Sequence, residues 1–282
     1  AGRVVLAGHM DTTFRGYDGL PRFHLDGDRA VGPGTADMRG GLVVALSALE
    51  LLDELGLARD WPLTVICNAD EERGAATSHA IFGAEAARAR HALVFECAGP
   101  DNQVVVGRRG KLSAHLAVQG RAGHAADRAL RKASAIEAMA HKVIAVEGLN
   151  DAREGASFNV GLIEGGIAGN TFPAHASIDL DVRYLERADR AWVEAELRRI
   201  TDDNPEGVTA HVEWTSARPN WAEGAVAAAG QAEAMRELLA AIARGAELLG
   251  LRHGTEFRYG TSDANFLAEG GAATVDGMGP VG

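Results

Sequence analysis

The chain has 282 residues, 46% of them hydrophobic and 24% charged, as expected of a globular protein of one or two domains. Its net charge of −11, with no basic run, argues against a nucleic-acid partner, and no apolar segment has the length of a membrane span. Cys67 and Cys97 lie in apolar, strand-like runs and are read as small buried hydrophobes rather than a disulfide framework.

The first part of the chain alternates strand and helix patterns. Val4 to Ala7 reads as a buried strand. Met38 to Leu55 repeats apolar residues at helical spacing (Leu42, Leu46, Leu49, Leu52) and stops at Gly56, a C-cap signal. Leu63 to Cys67 is strand-like, Thr77 to Arg90 helix-like and Ala92 to Phe95 strand-like, a βαβ rhythm that predicts a mostly parallel, buried sheet. From about Gly110 the rhythm changes. Lys111–Gln119, Phe158–Ile163, Ala176–Tyr184 and Val208–Trp214 read as strands, with helices at Ala133–Val146 and Ala191–Ile200. That β-α-β-β-α-β order predicts a ferredoxin-like unit. Arg218-Pro219-Asn220 reads as a linker, Ala232 to Leu249 as a helix and Ala273 to Val275 as a short strand. The expected architecture is an α/β domain (1–109 and 218–282) interrupted by an inserted α+β sandwich (110–217).

Four short segments follow successive apolar runs: Gly8-His9-Met10-Asp11-Thr12, Gly34-Thr35-Ala36-Asp37, Asp70-Glu71-Glu72 and Phe95-Glu96. Charges at the ends of buried strands need partners, and the crevice at the carboxyl ends of an α/β sheet is where ligands bind. His9 and Asp11 are two apart, so they leave the strand on one face, where Asp11 can orient the imidazole or act as a ligand itself. Asp37 opens the predicted helix, where it could equally be an N-cap. In an extended segment Glu71 and Glu72 diverge, so that one can face a metal and the other a water. Each segment alone reads equally as a polar loop. Together, on one edge of one inferred sheet, they point to a hydrolytic metal site.

These segments, with Gly32-Pro33-Gly34-Thr35-Ala36-Asp37-Met38-Arg39-Gly40-Gly41, resemble the metal-site motifs of the M20 family of di-zinc peptidases and amidohydrolases. That family includes glutamate carboxypeptidases, aminoacylases, acetylornithine deacetylases and succinyl-diaminopimelate desuccinylases. The resemblance implies two zinc ions, with cobalt or manganese as substitutes. His9, Asp37 and Glu96 would hold one, Asp37 would bridge to a second shared with Glu72, Asp11 would orient His9, and Glu71 would be the general base. In the inserted domain, His124 of Gly120-Arg121-Ala122-Gly123-His124 resembles the family's oxyanion-stabilising histidine, which often reaches across a homodimer. Asn170 and Arg183 match positions that hold the substrate carbonyl and carboxylate. Gly260, Thr261 and Ser262 resemble a late substrate-binding loop. The family's further histidine ligand is expected beyond Gly282, and both ends of the chain look cut.

The function implied is hydrolysis of an amide next to a free carboxylate, in a small peptide or an N-acyl amino acid. The carboxypeptidase branch is favoured over a deacylase of the acetylornithine or succinyl-diaminopimelate type, and over a catalytically impaired metal- or peptide-binding fragment. A cytoplasmic location is expected, with the periplasm or secretion left open by the cut N-terminus. Surface or satisfied structural roles are expected for His24, His79, His91, His115, His141, His175, His211 and His253, which lack a carboxylate motif at ligand spacing.

Overall fold

The computed structural model describes residues 2–14, 19, 22–127, 132–222 and 229–282. In chain order the elements are β1 (Arg3–His9), β2 (His24–Asp26), β3 (Arg29–Val31), α1 (Gly40–Glu54), β4 (Leu63–Asn68), α2 (His79–Ala86), β5 (Ala89–Val94) and β6 (Gln103–Arg108). They continue with β7 (Gly110–Gln119), β8 (Gly123–His124), α3 (Ala135–Glu147), β9 (Ala156–Gly165), β10 (Thr171–Phe172), β11 (His175–Tyr184), α4 (Arg187–Asp202) and β12 (Thr209–Arg218). The last are α5 (Ala229–Leu248), β13 (Gly254–Arg258), α6 (Ala264–Glu269) and β14 (Ala273–Val275). Two compact units result: Ala1–Arg108 with Trp221–Gly282, and Arg109–Asn220.

The first unit is built on a parallel sheet in the order β14-β5-β1-β4. In β1 the residues from Val5 to His9 are buried, the near-continuous run of a strand covered on both faces. One face packs Leu6 with Met38, Ala45 and Phe95. The other packs Val5 and Ala7 with Phe82, Val94, Phe266 and Leu267. Register pairs His9 with Asn68 and Ala7 with Val94, so the carboxyl ends of β1, β4 and β5 share one edge. Three of the four motif segments leave from that edge, after β1, β4 and β5, and the Asp37 segment reaches it from the turn between β3 and α1.

The second unit is an antiparallel sheet in the order β12-β7-β11-β9. Numbered within the unit, its strands run 4-1-3-2, the ferredoxin-like arrangement of the β-α-β-β-α-β sequence order. Its core joins the sheet residues Leu112, Leu116, Ile178 and Val182 to Met139 of α3 and Val193 and Leu197 of α4.

Several elements differ from the sequence reading. Helix α2 starts at His79, because the Thr77 backbone and hydroxyl are spent on Asp70, and it ends before β5 begins at Ala89. In α1, Leu46 is exposed while Gly41 and Ala45 are the buried positions. Cys67 is exposed on the edge strand β4 and Cys97 is half-buried, which corrects the expectation that both are buried. The parallel pair β6–β13, the hairpin β2–β3 and the ribbon β8–β10 were not read from the sequence.

Gly41 sets how closely α1 approaches the end of β5, since a Cβ there would collide with the carbonyl oxygen of Phe95. Gly41→Ala gains about 1 kcal/mol in helix propensity but meets backbone that cannot rotate away, an overpacking cost of roughly 1–3 kcal/mol or more. The substitution is therefore predicted to lower the urea midpoint; an unchanged or raised midpoint would show that the helix can stand off from β5.

Candidate metal centre

His9 ends the buried strand β1 with 1% of its surface exposed. Its Nδ1 lies 3.1 Å from the Asp11 carbonyl oxygen and 3.3 Å from Asp11 Oδ1. The Asp11 carbonyl oxygen engages Nδ1, so Nε2 is the ring nitrogen turned toward the site, the usual arrangement behind a ligating imidazole. Nε2 lies 3.1 Å from Asp37 Oδ1 and 3.6 Å from Glu96 Oε1. One ligand atom each from His9, Asp37 and Glu96 falls within 4.8 Å of the others, and no other such histidine, cysteine and carboxylate group occurs among the described residues.

Local structure brings these groups, with Glu71 and Glu72, together from the four motif segments. Gly34 turns the chain with a left-handed φ of 70°, and Asp37 and Met38 then adopt non-helical backbone before α1 starts at Gly40. Asp37 thus precedes the helix and is not its N-cap. Asp70 anchors the third segment. Its Oδ2 accepts from the Thr77 amide at 2.8 Å and the Thr77 hydroxyl at 2.7 Å, and its Oδ1 accepts from the Ser78 hydroxyl at 2.6 Å. Desolvation opposes its ionisation, but these bonds from Ser78 and Thr77 hold its carboxyl well below the usual carboxylate range. Glu71 and Glu72 therefore sit on a pinned 3-10 turn, Glu71–Arg73, rather than on the extended segment expected. The Glu72 amide donates to Asp11 Oδ2 at 3.2 Å, tying this turn to the His9 segment.

The electrostatics are those of anionic groups forced together. Burial disfavours the His9 cation, yet the hydrogen bond to Asp37 and the carboxylates of Glu96 and Glu71 outweigh it and push His9 up to about 9. Burial pushes Glu96 well above the usual carboxylate range, and the neighbouring charges of Asp276 and Glu71 add to it. Burial and the charges of Asp37 and Glu71 also raise Glu72. The hydrogen bond with His9 lowers Asp37. Whether these residues fit a divalent metal can be tested on Glu72, whose Oε1 is buried with no hydrogen-bond partner. An acceptor so placed beside an imidazole and three other carboxylates fits a cation, and one nitrogen with several oxygens suits zinc, cobalt or manganese.

The other predicted residues fall in two places. His124 and Asn170 meet in the second unit: His124 pairs with Thr171 across the β8–β10 ribbon, and the Ala125 amide donates to the Asn170 carbonyl at 2.9 Å. Both are exposed. Arg183 on β11 is half-buried and its guanidinium is engaged by Asp181. Gly260, Thr261 and Ser262 lie between β13 and α6 in the first unit. Ser262 is 1% exposed and its hydroxyl donates to Asp276 at 2.6 Å, so that hydroxyl faces inward rather than into the open. Three polar residues that support this edge were not singled out from the sequence: Asn68, Arg108 and Asp276. Asn68 donates to Asp263 Oδ2 at 2.8 Å and to Ser78 Oγ at 3.1 Å. Only the position of Asn68, at the end of a predicted strand, could have drawn attention to it.

The raised His9, Glu96 and Glu72 values give two pH dependences of opposite sign. In metal-free protein, the stability contributed by His9 is fully present below about pH 6.5 and is lost as pH rises through about 9. Glu96 and Glu72 keep protons that the unfolded chain releases, so they act in the same direction. Zinc must displace the His9 proton, so its apparent affinity should rise with pH, by about tenfold per unit for each proton displaced below pH 9. Thermal melts of chelated protein and chelator-competition titrations between pH 6 and 9 measure both. A pH-independent zinc affinity would contradict the assignment of His9.

A sequence model of the M20 peptidase dimerisation domain matches residues 106–209. Over 188 residues the chain is 32% identical to carboxypeptidase G2 of Pseudomonas sp. (strain RS-16), an alignment covering 66% of this chain and 45% of that protein. It is also 32% identical over 221 residues to succinyl-diaminopimelate desuccinylase of Methylobacterium sp. (strain 4-46), covering 71% of this chain and 55% of that protein. The matched region is thus about half the length of these curated relatives. Among solved structures, aminopeptidase PepT from Bacillus cereus ATCC 10987 superposes with a TM-score of 0.74 at 22% identity, covering 98% of this chain and 72% of that one. The M20 family metallo-carboxypeptidase Sso-CP2 from Sulfolobus solfataricus gives 0.68 at 15% identity, covering 99% and 77%. At such identities these likenesses speak for the fold. With the family match, the two relatives and the α/β unit carrying an inserted ferredoxin-like unit in agreement, the chain belongs to the M20 peptidase family.

Proposed function

We propose that this chain carries the metal centre of a zinc-dependent hydrolase that cleaves an amide bond next to a free carboxylate, in the manner of a glutamate carboxypeptidase. The observation that carries this reading is the convergence of His9 Nε2, Asp37 and Glu96 beside Glu71 and Glu72 at the carboxyl edge of a parallel sheet. His9, Asp37 and Glu96 would hold one zinc, and Asp37 and Glu72 would share a second. A divalent metal held there supplies Lewis acidity to a carbonyl and makes water a stronger acid.

The remaining chemistry belongs to the side chains. Glu71 takes a proton from the attacking water and passes it to the leaving amine nitrogen, a role suited to a 9% exposed carboxylate surrounded by others. Asp11 engages His9 Nδ1 through its carbonyl oxygen and so turns Nε2 toward the position a metal would take. His124 and Asn170 donate to the substrate carbonyl as charge develops on its oxygen; one well-placed donor of this kind is worth about 3–4 kcal/mol. Arg183 receives the substrate carboxylate, for which its planar fork is better matched than a lysine. Gly260 and Thr261 border the substrate, and Ser262 holds their loop from behind through Asp276. Similarity to a succinyl-diaminopimelate desuccinylase supports a second reading, an N-acyl amino acid deacylase with the same machinery.

Glu71→Gln is expected to retain zinc and lose at least about a hundredfold in turnover, the lower range for loss of general acid–base catalysis. The assay is a panel of C-terminal dipeptides, acyl-glutamates, acetylornithine and succinyl-diaminopimelate. Preference for the last two would select the deacylase reading. Unchanged turnover by the variant would remove Glu71 as the base.

We also propose a homodimer through the second unit. Its edge strand β9 and helix α3 leave Leu162, Ile163 and Ile144 more than 60% exposed, in a domain matched by a dimerisation model. Leu162→Lys with Ile144→Lys should convert a dimer to a monomer in analytical ultracentrifugation. A wild-type monomer at micromolar concentration would contradict the proposal.

A further inference from the structure

A buried ion pair lies beside the carboxylates of the first unit. Arg108 ends β6 at 5% exposure, and Asp276, just after β14, is fully buried. The Arg108 Nε and Nη2 lie 2.9 and 2.7 Å from Asp276 Oδ2. A buried pair of this kind seldom stabilises a fold more than a well-packed apolar pair would, so what else it holds is informative. Nη1 of Arg108 donates to the Gly260 carbonyl at 2.9 Å. The Ser262 hydroxyl donates to the same Asp276 oxygen at 2.6 Å and also accepts from the Ala264 amide at 3.2 Å.

From Asp276 the chain runs directly along the edge that bears Glu96. Its backbone exchanges hydrogen bonds with Val105, at 2.7 and 3.0 Å. Two and three residues on, the Met278 amide donates to Val94 and the Gly279 amide to Glu96. Gly279 permits this contact, since a Cβ there would sit 2.6 Å from the Phe95 oxygen and 2.7 Å from the Glu96 oxygen. One guanidinium therefore joins three separate segments: β6, the loop before α6, and the strand-like run against Glu96.

We propose that Arg108 is a positioning residue that holds the loop Gly260–Asp263 and the Glu96 edge in one rigid frame through Asp276. For its metal readout the proposal rests on the reading of Glu96 as a ligand. For its loop readout it does not. A planar donor fork suits the task because Asp276 and Gly260 are met at once by different nitrogens, which a lysine ammonium would meet less well.

The test combines hydrogen exchange of the 258–266 segment with zinc affinity from chelator competition, on wild type, Arg108→Met, Arg108→Lys and Ser262→Ala. Arg153→Met, which breaks the Arg153–Asp189 pair of the second unit, controls for general loosening. Arg108→Met is expected to speed exchange in the loop and to weaken zinc binding at least tenfold each. Arg108→Lys should recover part of both, and Arg153→Met should leave both within twofold. A folded Arg108→Met protein with both readouts within twofold of wild type would overturn the proposal. Should that variant not fold, Ser262→Ala decides: tenfold faster exchange at Ser262 and Ala264 supports the frame, and unchanged exchange overturns it. Absence of zinc binding in the wild type would remove the ligand reading and leave the exchange comparison to stand alone.

Discussion

Gathering four carboxylates around one imidazole at the end of a buried sheet is electrostatically costly, and most of the local structure follows from how that cost is met. Without a metal, protons meet it: His9 is held protonated to about pH 9 and Glu96 is pushed toward its neutral form. Each proton retained by the folded chain makes the site more stable at low pH and less stable at high pH. A divalent cation bound there would meet the same cost at neutral pH without protons.

The scaffold behind the site keeps these mutually repelling groups from relaxing apart. Parallel pairing of β1 with β4 and β5 fixes the take-off points of His9, Asn68 and Glu96. The Asp70–Thr77–Ser78 bonds stop the Glu71–Glu72 turn from swinging out. Gly41 and Gly279 allow two segments to press on the backbone of Phe95 and Glu96. Arg108 and Asp276 add a buried charge pair at the rear of that frame. None of these residues need touch a substrate, yet each limits where a carboxylate can go.

Much of the fold was legible because it rests on local periodicity. The β1 run, the Ala273–Val275 strand and the β-α-β-β-α-β order of the second unit all read directly from apolar spacing. What failed was governed by tertiary contacts. Strands β6 and β13 pair with each other across 150 residues of sequence, and neither carries a pattern that forces it to be a strand. Thr77 looked like a helix start until Asp70 took its hydrogen bonds. Cys67 looked buried because its strand is apolar, but β4 is an edge. At the site, residues within motifs could be named in advance. Arg108 and Asp276 could not, since nothing in the sequence shows that an arginine just before the predicted Lys111–Gln119 strand and an aspartate in a glycine-rich run will meet. The inward turn of Ser262 was hidden for the same reason.

The most direct test of the account is the zinc content per chain of wild type, His9→Ala and Glu96→Gln after loading and desalting. The account predicts at least one tightly held zinc in the wild type, lost in His9→Ala and sharply reduced in Glu96→Gln, with the three proteins equally folded by circular dichroism. Equal zinc content in all three, or none in folded wild type, would contradict a metal centre built on these residues.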